Sequence, residues 1–148
     1  MSARRAIAAL ALCAAAVAGG CGPRTTSALP PALARRLDAE GIVRRDDDAT
    51  IRWTHGGARR EWDQGVASIV LTRATFVIHK DARVLFEVTP ANRSRWRVRR
   101  DHDRVVVGGA GGATRASWSW RPRDGDADGW TRAVRATLTG GAAADSGS

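Results

Sequence analysis

The chain has 148 residues and carries 24 Lys and Arg against 15 Asp and Glu, a formal net charge of +9. That length holds one domain with a modest core and leaves no room for two. A basic surplus of this size bears on association with anionic partners and is silent about the fold.

Residues 1–20 follow the plan of a secretory signal: Arg4 and Arg5, an apolar run from Ala6 to Ala18, and the small exit Gly19-Gly20 before Cys21. The apolar run of about a dozen residues is short of the roughly 20 that a spanning helix needs, so a cleaved signal is the stronger reading. The stretch Val17-Ala18-Gly19-Gly20-Cys21 resembles the lipobox of bacterial lipoproteins, with Ala18 where Leu or Val is usual. The resemblance implies cleavage before Cys21, lipid on its thiol and an exported domain anchored on the periplasmic or extracellular side of a membrane. Gly22 is compatible with sorting to an outer membrane where that code operates. Cleavage also removes Cys13, so the mature chain of about 128 residues has no cysteine pair for a disulfide or a cysteine-based zinc site. It retains 22 Lys and Arg against 15 Asp and Glu, a net of about +7.

Residues 21–31 are rich in small residues and proline and are expected to tether the domain, with a reach of about 30 Å at most. Leu29, Leu33 and Leu37 then recur every fourth residue between Pro30-Pro31 and Gly41, which predicts a short helix over Ala32–Glu40. From Ile42 to Arg121 short apolar runs alternate with turn signals, the pattern of β-strands. Expected strands are Ile42–Arg45, Ala49–Thr54, Val66–Leu71, Thr75–His79, Val84–Val88, Arg95–Arg100, Arg104–Val107 and Ala116–Arg121. Alternation puts Trp96 and Val98 on one face and Arg95, Arg97 and Arg99 on the other, and separates Trp118 and Trp120 from Ser117, Ser119 and Arg121. A second helix is expected over Asp128–Leu138, capped by Asp126 or Asp128 and stopped by Gly140 and Gly141. Residues 140–148 are expected to form a disordered tail. No internal repeat is present. The expected class is mainly β with flanking helices, a small antiparallel barrel or sandwich closed by a C-terminal helix.

Two segments are similar to the pleckstrin-homology (PH) superfold and its GRAM-like relatives. One is Val66–Val88, with Leu71-Thr72-Arg73 between apolar strands. The other is the closing helix from Gly129 to Leu138, with Trp130 near its start. The resemblance covers roughly residues 32–139 and implies a barrel whose end is plugged by Trp130. It assigns no ligand, since such folds bind lipid, bind peptide or serve only as structure. A phosphoinositide site would need a Lys/Arg cluster in the first hairpin. Arg59 and Arg60 stand there without lysines and are followed by Glu61, so that function is not carried over.

Five arginines, Arg95, Arg97, Arg99, Arg100 and Arg104, make the densest basic stripe and are the candidate surface for an anionic ligand. The alternative is a solvated strand face in an arginine-biased composition, for Lys80 is the only lysine. Asp124, Asp126 and Asp128 with Gly129 reproduce the first half of an EF-hand calcium loop, but Arg135 stands where the bidentate Glu belongs, and helix capping explains the same residues. Asp101-His102-Asp103 reads as a hairpin tip. Gly108–Gly112 lacks the Gly-Lys-Ser/Thr of a phosphate loop, His55 and His79 have no ligand-spaced partners, and no Gly-x-Ser-x-Gly elbow occurs. These readings predict a protein that is not an enzyme and needs no cofactor or metal. Its expected partners are the membrane and either an anionic lipid or an envelope protein, with no nucleic acid. The other expectation is a purely structural or interaction lipoprotein of an envelope complex. The oligomeric state is left open.

Overall fold

A computed structural model describes residues 28–55, 61–109 and 116–141, the side chains of 61–63 excepted. The expected signal, Cys21, most of the tether and the tail from residue 142 lie outside the described residues. Helix α1 (Pro31–Glu40) leads into strands β1 (Ile42–Thr54), β2 (Glu61–Thr72), β3 (Phe76–Lys80) and β4 (Arg83–Val88). A 3₁₀ turn at Arg93–Arg95 precedes β5 (Trp96–Asp101), β6 (Arg104–Gly109), β7 (Ser117–Arg121) and the closing helix α2 (Ala127–Thr139). The seven strands form one antiparallel sheet in the order β4-β3-β2-β1-β7-β6-β5, curled into a half-barrel. The architecture is thus mainly antiparallel β with two flanking helices, as the strand and helix patterns predict.

β1 is one long strand where the sequence predicts two. The run Asp46-Asp47-Asp48 reads as a turn, yet it forms an irregularity within the strand, between the pairs Asp46↔Ile69 and Ala49↔Ala67. Each carboxylate there has a donor: Asp46 accepts from the Arg123 amide at 2.9 Å, Asp47 from Arg45 at 2.7 Å and Asp48 from the Arg123 guanidinium at 2.5 Å. A backbone bent in this way tolerates three acidic residues because Arg123 in the loop before α2 supplies partners for Asp46 and Asp48, and Arg45 of the same strand supplies one for Asp47. The length of β1 lets it hold both halves of the sheet, pairing β2 along its course and β7 over Thr50–Thr54.

The inner face holds the core. Ala49 and Ile51 of β1, Ala67, Ile69 and Leu71 of β2, Phe76 and Ile78 of β3, Val105 and Val107 of β6 and Trp120 of β7 are buried together. α2 lies over this face through Trp130, Val134 and Leu138, with the Trp130 ring edge-on to Trp120 at 5.8 Å. Asp126 caps α2 by accepting the Gly129 amide at 2.7 Å, and Gly140 ends it in the left-handed conformation at φ 73°. α1 packs on the opposite, convex face, where Leu37 is buried against Val70 and Val77, with Leu29 and Leu33 partly buried beside them. No helix among the described residues is long and apolar enough to cross a membrane.

Candidate functional site

The strand alternation that sends tryptophans and valines inward turns arginines outward on β5, β6, β7 and β1. Backbone register aligns them in rows. Arg97 pairs with Gly108, Gly108 with Ser117, and Ser117 with Thr54. Arg99 pairs with Val106, Val106 with Ser119, and Ser119 with Arg52. A third row brings Asp101 opposite Arg104, and Arg121 opposite Thr50. Arg52, Arg97, Arg99, Arg104 and Arg121 therefore share the convex face. On the other side of β1 the backbone register sets Glu61 of β2 opposite Thr54 and Asp63 opposite Arg52.

A groove of about 180 Å³ crosses this face, walled by Arg97 and Arg99 and floored by Val106, Gly108, Gly109 and Ser117. The Arg97 guanidinium donates to two backbone oxygens, Ser94 at 3.2 Å and Trp96 at 2.8 Å. Arg99 reaches Asp101 at 3.2 Å, and Arg121 reaches Asp103 at 2.6 Å, with both arginine side chains about two-thirds exposed. The Asp101 carboxyl is held below its usual range by the His102 ring first and by Arg99 second. Arg104 donates to the Ser119 carbonyl at 3.5 Å and lies 3.4 Å from its hydroxyl. Asp101 and Asp103 of the hairpin thus pair with Arg99 and Arg121, whereas the Arg97 guanidinium donates to backbone oxygens.

Of the arginines singled out from the sequence, Arg97, Arg99 and Arg104 come together here and two do not. Arg100 has the parity of Trp96 and Val98, faces the α2 side, and donates to Asp128 at 2.5 Å. Arg95 is the exposed last residue of the 3₁₀ turn. Arg52 and Arg121, brought in by the pairing of β1 with β7, belong to the face although they are remote from β5 in sequence.

The three aspartates of the half calcium loop have other partners. Asp126 binds both the Gly129 amide and Arg44, each at 2.7 Å, and this pair of contacts, the amide first, holds its carboxyl below the usual range. Asp124 accepts the Asp126 amide at 2.9 Å and lies 3.6 Å from Arg44, while Asp128 holds Arg100. Arg44 also lies over the Trp130 ring, 5.7 Å from its centroid. The arrangement fastens the start of α2 to β1. Among the described residues no three His, Cys, Asp or Glu side chains cluster as metal ligands do. Asp101-His102-Asp103 is the β5–β6 hairpin tip, with His102 at φ 55° and its side chain almost fully exposed. His55 stacks on Trp53 at 5.4 Å. Gly108 and Gly109 end β6, and the rest of the glycine run lies outside the described residues.

The burial of His79 is not apparent from its sequence position at the end of a strand. His79 is fully buried at the end of β3, and neither ring nitrogen has a hydrogen-bond partner. The available signal was a lone histidine closing the apolar run Phe76-Val77-Ile78, which burial by neighbouring strands makes consequential. Comparisons with known protein families, with curated proteins and with solved structures find no match for this chain.

Proposed function

We propose that this protein is an exported lipoprotein, anchored on a membrane through lipid on Cys21, whose small β domain binds an anionic partner and performs no catalysis. The observation that carries the reading is the convex face that arginines from four strands share, with a groove lined by Arg97 and Arg99 of β5 at one part of it. An isolated run of arginines on one strand is ordinary solvation, whereas convergence from strands distant in sequence makes a surface broad enough to meet an anionic layer. The lipobox-like Val17–Cys21 supports the anchor. The similarity of Val66–Val88 and of the Trp130 helix to PH and GRAM-like domains, together with the meander order closed by α2, supports a non-catalytic binding module. Anionic lipid is the preferred partner.

A second reading, docking onto an envelope protein without lipid specificity, is favoured by Val84, 44% exposed on the edge strand β4. The full chain carrying Cys21→Ser, mixed with anionic and with neutral vesicles, separates the two. Lipid binding predicts salt-sensitive attachment to anionic vesicles alone, and no attachment even at low salt eliminates it. The same variant should lose acyl labelling and leave the membrane fraction. Continued labelling would remove the anchor from the account.

A further inference from the structure

The convex face of the sheet has two territories. Over β2 and β3 it carries Val70 and Val77, covered by Leu37 of α1, and with the same parity the buried Ser68 and His79. Over β1, β7, β6 and β5 it carries the arginines, and no helix among the described residues covers it. The two are continuous, because Thr50 pairs with Val66, which shares with Ser68 and Val70 the outward parity of β2. α1 is also the element that follows the anchor, since Pro31 stands ten residues after Cys21. Ten residues span about 33 Å at most, so the domain stays within one domain diameter of the bilayer that holds its lipid. The anchored end and the arginines thus lie on one side of the sheet, and α2 covers the other.

We infer that the domain lies convex face down on the bilayer that carries its own lipid, with the groove between Arg97 and Arg99 seating the phosphate of an anionic lipid headgroup. This rests on the lipid-binding reading above and adds the orientation and the subsite. The groove suits a phosphodiester because its floor presents little bulk: Gly108 and Gly109 have no side chains, Val106 is 7% exposed, and Ser117 adds a hydroxyl. Its two walls are the side chains of Arg97 and Arg99, the second also 3.2 Å from Asp101, and guanidinium groups pair with phosphate oxygens in a planar fork. Arg97 is held only by backbone oxygens, so a phosphate displaces no carboxylate from it. The chain that leads to the acyl group keeps the local headgroup concentration high, so a weak surface suffices.

The test uses the full lipidated chain reconstituted in phosphatidylcholine vesicles with or without phosphatidylglycerol. A single fluorescent label is placed either at Thr50→Cys on the convex face or at Arg135→Cys on the exposed side of α2. With phosphatidylglycerol present, the Thr50 label should become several-fold less accessible to an aqueous quencher, and the Arg135 label should not change. Arg97→Gln should weaken attachment of the soluble Cys21→Ser chain to these vesicles roughly fivefold. In the lipidated chain, Arg97→Gln with Arg99→Gln should restore quenching at Thr50. Equal quenching at Thr50 in both lipids, while the Cys21→Ser chain still binds anionic vesicles, overturns the orientation and leaves the lipid-binding reading standing. Crosslinking of separate vesicles by the lipidated chain also overturns it, since the arginine face would then reach across to another bilayer. If the Cys21→Ser chain binds no anionic vesicle at low salt, the lipid-binding reading itself fails.

Discussion

Leu37→Ala is expected to loosen helix α1 while leaving the sheet folded. Leu37 is fully buried, and its partners Val70 and Val77 are fully buried with it. Truncating a buried leucine costs the transfer free energy of the lost carbons and the cavity left behind, about 2–5 kcal/mol. This cluster is small and Leu29 and Leu33 can settle into the gap, which places the expected loss at about 2–3 kcal/mol. In a domain of this size that lowers the melting temperature by roughly 10 °C. The remaining ties of α1 cannot compensate. The Arg36–Glu87 pair at 2.5 Å is partly exposed and adds about 1 kcal/mol or less, and Glu40 contributes one hydrogen bond from Thr72 at 2.7 Å. Amide exchange resolves the location of the effect: α1 amides should lose protection in the variant while those of β2 and β3 keep it. A loss below about 1 kcal/mol, with α1 protection unchanged, would refute the role given to Leu37 in fastening the helix.

Burial lowers the His79 pKa from its ordinary value of 6.5, and Asp81 opposes this by less, so the fold favours the neutral ring. Its contribution to stability is then complete above pH 6.5 and is lost as pH falls through that value toward the lowered folded pKa, by up to about 1.4 kcal/mol per pH unit. Urea midpoints should show a shallower acid loss for His79→Leu than for the parent over that window, and identical slopes would contradict it. Gly140→Ala should cost about 1–2 kcal/mol, because a left-handed alanine is strained and its Cβ would meet the Arg93 guanidinium at 2.5 Å. No change in melting temperature would show that α2 ends elsewhere. Gly129→Ala drives a methyl into the Asp126 carboxylate and the Arg44 guanidinium, and a loss of about 2 kcal/mol is expected, localised by amide exchange to the first turn of α2.

The elements were legible because their periodicities are strong. The four-residue spacing of Leu29, Leu33 and Leu37 marks α1, the alternation of Trp96 and Val98 with arginines marks β5, and alternating tryptophans mark β7. Asp46-Asp47-Asp48 was illegible as strand because the donors that satisfy it come from Arg45 and from Arg123, and Arg123 is some 75 residues away in sequence. The arginine face was legible in part. Parity alone separates Arg97 and Arg99 from Arg100, whose place among the five rested on proximity in sequence and not on side-chain direction. Arg52 and Arg121 could not be added without knowing that β1 pairs with β7, a long-range pairing that no local pattern encodes. His79 shows the converse: its residue type is plain in the sequence, while its complete burial depends on the neighbouring elements.

The central claim is tested most directly by the salt dependence of vesicle binding by the Cys21→Ser chain, compared with the same chain carrying Arg97→Glu and Arg99→Glu. At about 1 kcal/mol for each cation near an anionic surface, the two reversals should weaken binding to phosphatidylglycerol vesicles by roughly 30-fold or more and flatten its fall with salt. Binding of equal strength and equal salt dependence in the two chains would contradict the account.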